Sequence, residues 1–167
     1  MTVVEHSVAT AVRASLGDVI VVTGADRERI RSILGGYPVC FVHNANYEEG
    51  MGTSLREGVR AAAAGGVGVC LADMPFVRTG TIRNLGDVLA KHSNSIVLPV
   101  FGGHRGHPVF FSERFRSDLL KLDGDEGARR ILNRYPEAVI EVQTEDAGVL
   151  QDIDTPEDIE RLRGGVD

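Results

Sequence analysis

Cysteine and lysine are scarce in this chain of 167 residues, and each scarcity removes a class of protein. Two cysteines, Cys40 and Cys70, each inside an apolar run, cannot build a disulfide framework or a zinc knuckle, and they read as reduced, buried thiols. Lys91 and Lys121 are the only lysines, the formal net charge is −6 at pH 7, and no stretch gathers Arg into a patch. A nucleic-acid partner is therefore excluded. No apolar run approaches the ~20 residues that cross a bilayer, and Met1 to His6 lack the charged and apolar segments of a secretory signal. The expectation is a soluble, cytoplasmic protein with no membrane partner. Phosphate-loop fingerprints are absent too: neither G-x-G-x-x-G nor G-x-x-x-x-G-K-S/T occurs, and Gly102-Gly103-His104-Arg105-Gly106 is only a loose relative.

What is present is a core. Apolar residues make up 43% of the chain, enough for one compact domain and too few for two. Extended apolar runs alternate with segments of helical period, which predicts an α/β, Rossmann-like domain: a mostly parallel sheet with helices on both faces. The helices expected are Thr2 to Ser15 with a stop at Gly17, Asp26 to Leu34, Ser54 to Ala64, Thr81 to His92, Glu113 to Leu122, Glu126 to Tyr135 and Pro156 to Arg163. Strands are expected at Val19 to Thr23, Val39 to His43, Gly68 to Ala72, Ile96 to Val100, Pro108 to Phe111 and Val139 to Val142. A helix opens the chain where a doubly wound fold ordinarily has its first strand and phosphate-binding turn.

Asp73 follows the third expected strand directly and so sits at the carboxyl edge of the sheet, where open α/β folds bind ligands. A carboxylate there suits a hard cation such as Mg2+, although a turn aspartate before Met74-Pro75 would look the same. In Asp152-Ile153-Asp154-Thr155-Pro156-Glu157-Asp158, helix capping accounts for the last four residues but not for Asp152 and Asp154, which share a face of an extended segment. Asn46, Gly50, Met51, Gly52, Thr53 and Ser54 form a small-residue loop running into a helix, either an anion cradle or a plain cap. Arg105, Gly106 and His107 offer a phosphate-pairing guanidinium and an imidazole, or a solvated hairpin. Asp125 in Gly124-Asp125-Glu126-Gly127-Ala128-Arg129 reads as a cap, and Met51 and Met74 read as packing residues.

These five segments, with Leu71-Ala72-Asp73-Met74-Pro75 among them, occur in the order found in MobA-like NTP transferases, and the chain resembles most the molybdenum cofactor cytidylyltransferase branch. The resemblance implies a nucleotidyltransferase fold in which Asp73 and Asp154, with Asp152 as the alternative, hold Mg2+. It implies transfer of CMP from CTP to the molybdopterin cofactor with release of pyrophosphate. Asn46, Gly50, Met51, Ser54, Arg105, Gly106 and His107 would then face the acceptor substrate, with Ser54, Arg105 and His107 lining one concavity beside Asp73. Positioning and charge neutralisation dominate such chemistry, which needs no covalent nucleophile.

Two departures qualify the resemblance. The family's N-terminal strand and loop of the type L-A-A-G-x-S-x-R-M-G, with a lysine shortly after, have no counterpart in these residues, and Ala72 replaces the glycine usual before the metal aspartate. The first strand of the fold is thus expected to be missing, with open sheet edges that favour a homo-oligomer and no measurable transfer by the chain alone. A non-catalytic relative that binds a ligand or partner is the alternative, and a different magnesium-dependent phosphate-handling enzyme the third reading.

Overall fold

The computed structural model describes residues 1–125, 127–153 and Asp158. Helix α1 (Val3–Ala14) opens on a capping box: the Thr2 hydroxyl accepts from the Glu5 amide, and the Thr2 amide donates to Glu5 at 2.6 Å. That backbone bond, followed by the Thr2 hydroxyl, holds the Glu5 carboxyl below its usual range. The helix ends on Ser15 in the left-handed conformation, two residues before the expected stop at Gly17.

Strands β1 (Val19–Thr23) and β2 (Val39–His43) fall where the β-branched runs predict and pair in parallel around helix α2 (Arg27–Leu34). Helix α3 (Met51–Ala61) begins three residues earlier than expected because Gly50, at φ 116°, makes the turn into it. Strand β3 (Val67–Val69) is shorter than predicted and stops before Cys70. Helix α4 (Thr79–Lys91), strand β4 (Ile96–Phe101), the short β5 (His104–Arg105) and β6 (Val109–Phe111) follow. In place of one helix from Glu113 to Leu122 there is a 3-10 turn and the four-residue α5 (Arg116–Leu119). Helix α6 (Arg129–Arg134) leads to β7 (Val139–Gln143), and the expected closing helix lies outside the described residues.

The α/β architecture is as expected, with ladders of both senses. β1 with β2 and β4 with β7 are parallel; β6 runs antiparallel between β3 and β4, and β5 antiparallel to the end of β4. Among the described residues no ladder joins the β1–β2 pair to the five-stranded sheet, so β1 and β3 each keep one unpaired edge. The half-burial of Val19 to Val22 follows from that edge.

β4 organises the core. Ile96, Leu98 and Val100 point to one face, with Val109, Phe111, Val59, Phe115, Leu119 and Ile131; Val97 points to the other, with Phe110, Ala14, Ile82 and Leu85. Both faces are therefore packed against helices, which is why the strand reads as a continuous apolar run rather than an alternating one. The two cysteines correct the expectation of buried thiols. Both are free and exposed. Cys40 lies on β2 and Cys70 just beyond the short β3. The Cys70 thiol lines a small hollow with Ser7, Thr10, Leu71, His107 and Pro108, and loss of solvent around it pushes its pKa up to about 11. Met74 packs in the second core as expected, whereas Met51 is 58% exposed and packs little. No helix of the described residues is long and apolar enough to cross a membrane.

Asp146 joins the start of α4 to the 3-10 turn that follows β7. Only 3% exposed, it accepts from the Arg78 amide (2.8 Å), the Thr81 hydroxyl (2.6 Å) and the Gly148 amide (3.1 Å), so it caps α4 and the 3-10 turn before Gln151 at once. Asp146→Ala strands these donors, and urea titration should show a loss of about 2–4 kcal/mol, with a smaller loss for Asp146→Asn, which keeps one carbonyl oxygen.

Candidate functional site

The candidate residues gather on backbone contacts more than on side-chain ones. Asp73 stands in the turn after β3, exposed, and its carbonyl accepts from the Ile153 amide at 2.8 Å. That bond sets the backbone of the acidic segment around Asp152 against the aspartate turn. The Ser7 hydroxyl of α1 donates to the neighbouring Ala72 carbonyl at 2.9 Å and anchors the turn from the opposite side. Neither Asp73 nor Asp152 has a side-chain hydrogen bond or ion pair among the described residues, so both carboxylates are uncommitted oxygen donors. Asp154 lies outside the described residues, as does Glu126. No three His, Cys, Asp or Glu side chains converge as a metal group among the described residues. An uncommitted carboxylate such as that of Asp73 is the type of oxygen ligand that a hard cation such as Mg2+ takes, one or two at a time beside several waters.

His107 belongs to the same neighbourhood. The β5–β6 connection is pinned by Gly106, whose amide donates to the Pro99 carbonyl, and by His107, whose amide donates to the Val149 carbonyl, both at 2.9 Å. A Cβ at Gly106 would strike the Val149 carbonyl, so only glycine allows this approach. The His107 Nδ1 is buried without a partner. Burial lowers the imidazole's pKa, and the charge of Asp73 opposes that shift only in part.

Arg105 has a partner on β7. Its Nε meets Glu141 at 2.7 Å in an exposed pair. The pairing follows from register: β5 and β7 flank β4, so residues 105 and 141 come within reach across it.

The segment from Asn46 to Ser54 forms a second unit. Gly50 and Gly52 press against Asp123-Gly124-Asp125, and the Gly52 amide donates to the Gly124 carbonyl at 2.8 Å. The helix amide expected to help cradle an anion is therefore already used. Asn44, which the sequence reading passed over, is the centre of this unit: 2% exposed, it donates to Thr53 and Ser54 and accepts from the Asn46 amide. Its signal was a polar amide directly after a strand. A hollow of about 440 Å³ opens at the ends of β1 and β2 between Gly24 to Arg29, His43 and Tyr47; none of the residues singled out from the sequence lines it, and its charged lining is largely exposed.

Comparison with known proteins gives this arrangement its family. The model of the MobA-like NTP transferase domain matches residues 1–139. The chain therefore belongs to the MobA-like NTP transferase family. It is 36% identical over 122 residues to the purine catabolism protein PucB of Bacillus subtilis (strain 168), a match covering 70% of this chain and 57% of PucB. It is 28% identical over 169 residues to nicotine blue oxidoreductase of Paenarthrobacter nicotinovorans, covering 96% and 82%. To the molybdenum cofactor cytidylyltransferase of Escherichia coli (strain K12) it is 25% identical over 120 residues, covering 72% and 60%. The fold matches that of Rv0371c from Mycobacterium tuberculosis H37Rv in complex with manganese, at a TM-score of 0.82 and 25% identity, over 99% of this chain and 88% of that one.

The lowered pKa of His107 makes a signed prediction. Between its folded value and the ordinary 6.5 of an unfolded histidine, the unfolded chain binds more protons, so stability rises with pH through that window and is lost on acidification through it, with no further change from this group below the folded value. Denaturant titrations from pH 5 to 7 should show this slope, and His107→Gln should flatten it; an unchanged slope would assign the pH dependence to other groups.

Proposed function

We propose that the chain is the substrate-binding and metal-binding part of a magnesium-dependent nucleotidyltransferase that joins CMP from CTP to the molybdopterin cofactor. In that reaction an oxygen of the acceptor's phosphate bonds to the α-phosphorus of CTP, and the bond from that phosphorus to the departing pyrophosphate breaks. The observation that carries the reading is the Ile153–Asp73 backbone bond, which sets the acidic segment beside a carboxylate at the sheet edge. Asp73 and Asp152, and Asp154 by its motif, would hold the cation, which would neutralise charge on the transferring phosphate. His107, poorly able to take a proton where it is buried, would offer its ring to the acceptor side as a neutral group. The manganese complex of Rv0371c and the likeness to the cytidylyltransferase support the metal and the substrates respectively.

The chain spans about half to two thirds of PucB and of the cytidylyltransferase. A domain that binds ligand without turning it over is the second reading. Magnesium-dependent pyrophosphate release from CTP in the presence of molybdopterin separates the two. Turnover is expected once a family member's glycine-rich segment is joined to the N-terminus, and not from the 167 residues alone. In the joined form Asp73→Asn should lower transfer at least ~100-fold without shifting thermal stability. Full activity of that variant would remove Asp73 from the metal site, and robust turnover by the 167 residues would mean that their own loops hold the triphosphate.

A further inference from the structure

Asn44 has its hydrogen-bonding capacity assigned by geometry. Its Oδ1 lies 2.9 Å from the Asn46 backbone nitrogen, which can only donate. The amide orientation is thereby fixed, and Nδ2 must face the two hydroxyls, Thr53 at 2.8 Å and Ser54 at 2.9 Å. Each of the two Nδ2 protons serves one hydroxyl. Thr53 Oγ1 also lies 3.0 Å from the Asn46 carbonyl and 2.9 Å from the Gly50 carbonyl, so its own proton goes to one of these acceptors and the group is closed. Ser54 differs: it accepts from Asn44, makes no other hydrogen bond among the described residues, and is only half-buried.

We propose that Asn44 is a positioning residue: by donating to Ser54 Oγ it leaves the Ser54 hydroxyl proton over, and that proton is given to a substrate oxygen with a free lone pair. The inference rests on the proposed function, since both substrates named there carry such oxygens, on a heterocyclic carbonyl or on phosphate. Inverting Asn44 inverts the site. Asn44→Asp replaces two donors by lone pairs, so both hydroxyls must donate inward and Ser54 no longer has a proton to offer.

The test uses the 167-residue chain. In NMR spectra the two Nδ2 protons of Asn44 should be resolved and protected from exchange, and Ser54→Ala should shift one of them while leaving the other. Titration with cytidine, pterin and inorganic pyrophosphate, each alone, identifies which oxygen is read. For that probe Ser54→Ala should weaken binding about five- to tenfold, the worth of one net hydrogen bond. At pH 8 Asn44→Asp should do the same, and adding Ser54→Ala to it should cost little more, whereas a purely structural role for Asn44 gives additive losses. If the chain binds a probe and Ser54→Ala is silent, or the two changes add, the inference fails and the proposed function stands. If the wild-type chain binds none of the three, both fall. Should Asn44→Asp fold poorly by its melting curve, the NMR signature and Ser54→Ala alone decide.

Discussion

The burial of β4 on both faces is the constraint from which the rest of the structure follows. Ile96, Val97, Leu98 and Val100 are at most 2% exposed, and their alternation divides the interior into one core under α3, α5 and α6 and another under α1 and α4. Burying such a strand removes apolar area on two sides at ~25 cal/mol per Å², so few alternative registers could compete. Its neighbours inherit their positions. β7 pairs along its whole length and carries the chain to the turn before Asp152, while Pro99, which lacks an amide, still offers the carbonyl that holds Gly106. The candidate site is thus assembled at one end of a strand that takes no part in its chemistry.

Legibility in the sequence follows how sharply a run is bounded, not how deeply it is buried. The half-buried β1 and β2 and the buried β4 all match their expected ranges nearly to the residue, because their β-branched or apolar runs are bounded by Gly, Pro and polar residues. β3 was overextended, because Cys70, Leu71 and Ala72 continue the apolar pattern while their backbone already turns toward Asp73. The helix from Glu113 to Leu122 broke into a 3-10 turn and one short helix. Phe115 is drawn into the core beside Phe111 and Tyr135, and Arg116 spends its guanidinium on the Val59, Ala62 and Ala63 carbonyls at the end of α3. Tertiary demands of that kind have no local signature.

The site was legible as a set of segments and illegible as a set of commitments. Position relative to a strand marked Asp73, and period-2 spacing marked Asp152. Neither could show that Arg105 is engaged by Glu141, because that pair depends on two strands flanking a third. Nor could it show that the loop from Asn46 to Ser54 is governed by Asn44, a residue with no motif of its own. An amide buried behind a loop becomes informative only when the atoms it faces are known.

Comparison of the acidic residues shows what the fold does with charge. Asp146 is buried and surrounded by donors, and its carboxylate is a structural joint with nothing left to give a ligand. Asp73 is held through its backbone carbonyl instead, which leaves the carboxylate outside the hydrogen-bond network. Anchoring a residue by its main chain fixes where its side chain begins without consuming the lone pairs that would meet a cation. The same division separates Thr53, whose hydroxyl is closed by two carbonyls, from Ser54, whose proton is left over. In each pair the candidate for chemistry is the member whose position is determined by its surroundings and whose polar atoms are not, and pre-organisation of that kind is what a transfer site requires.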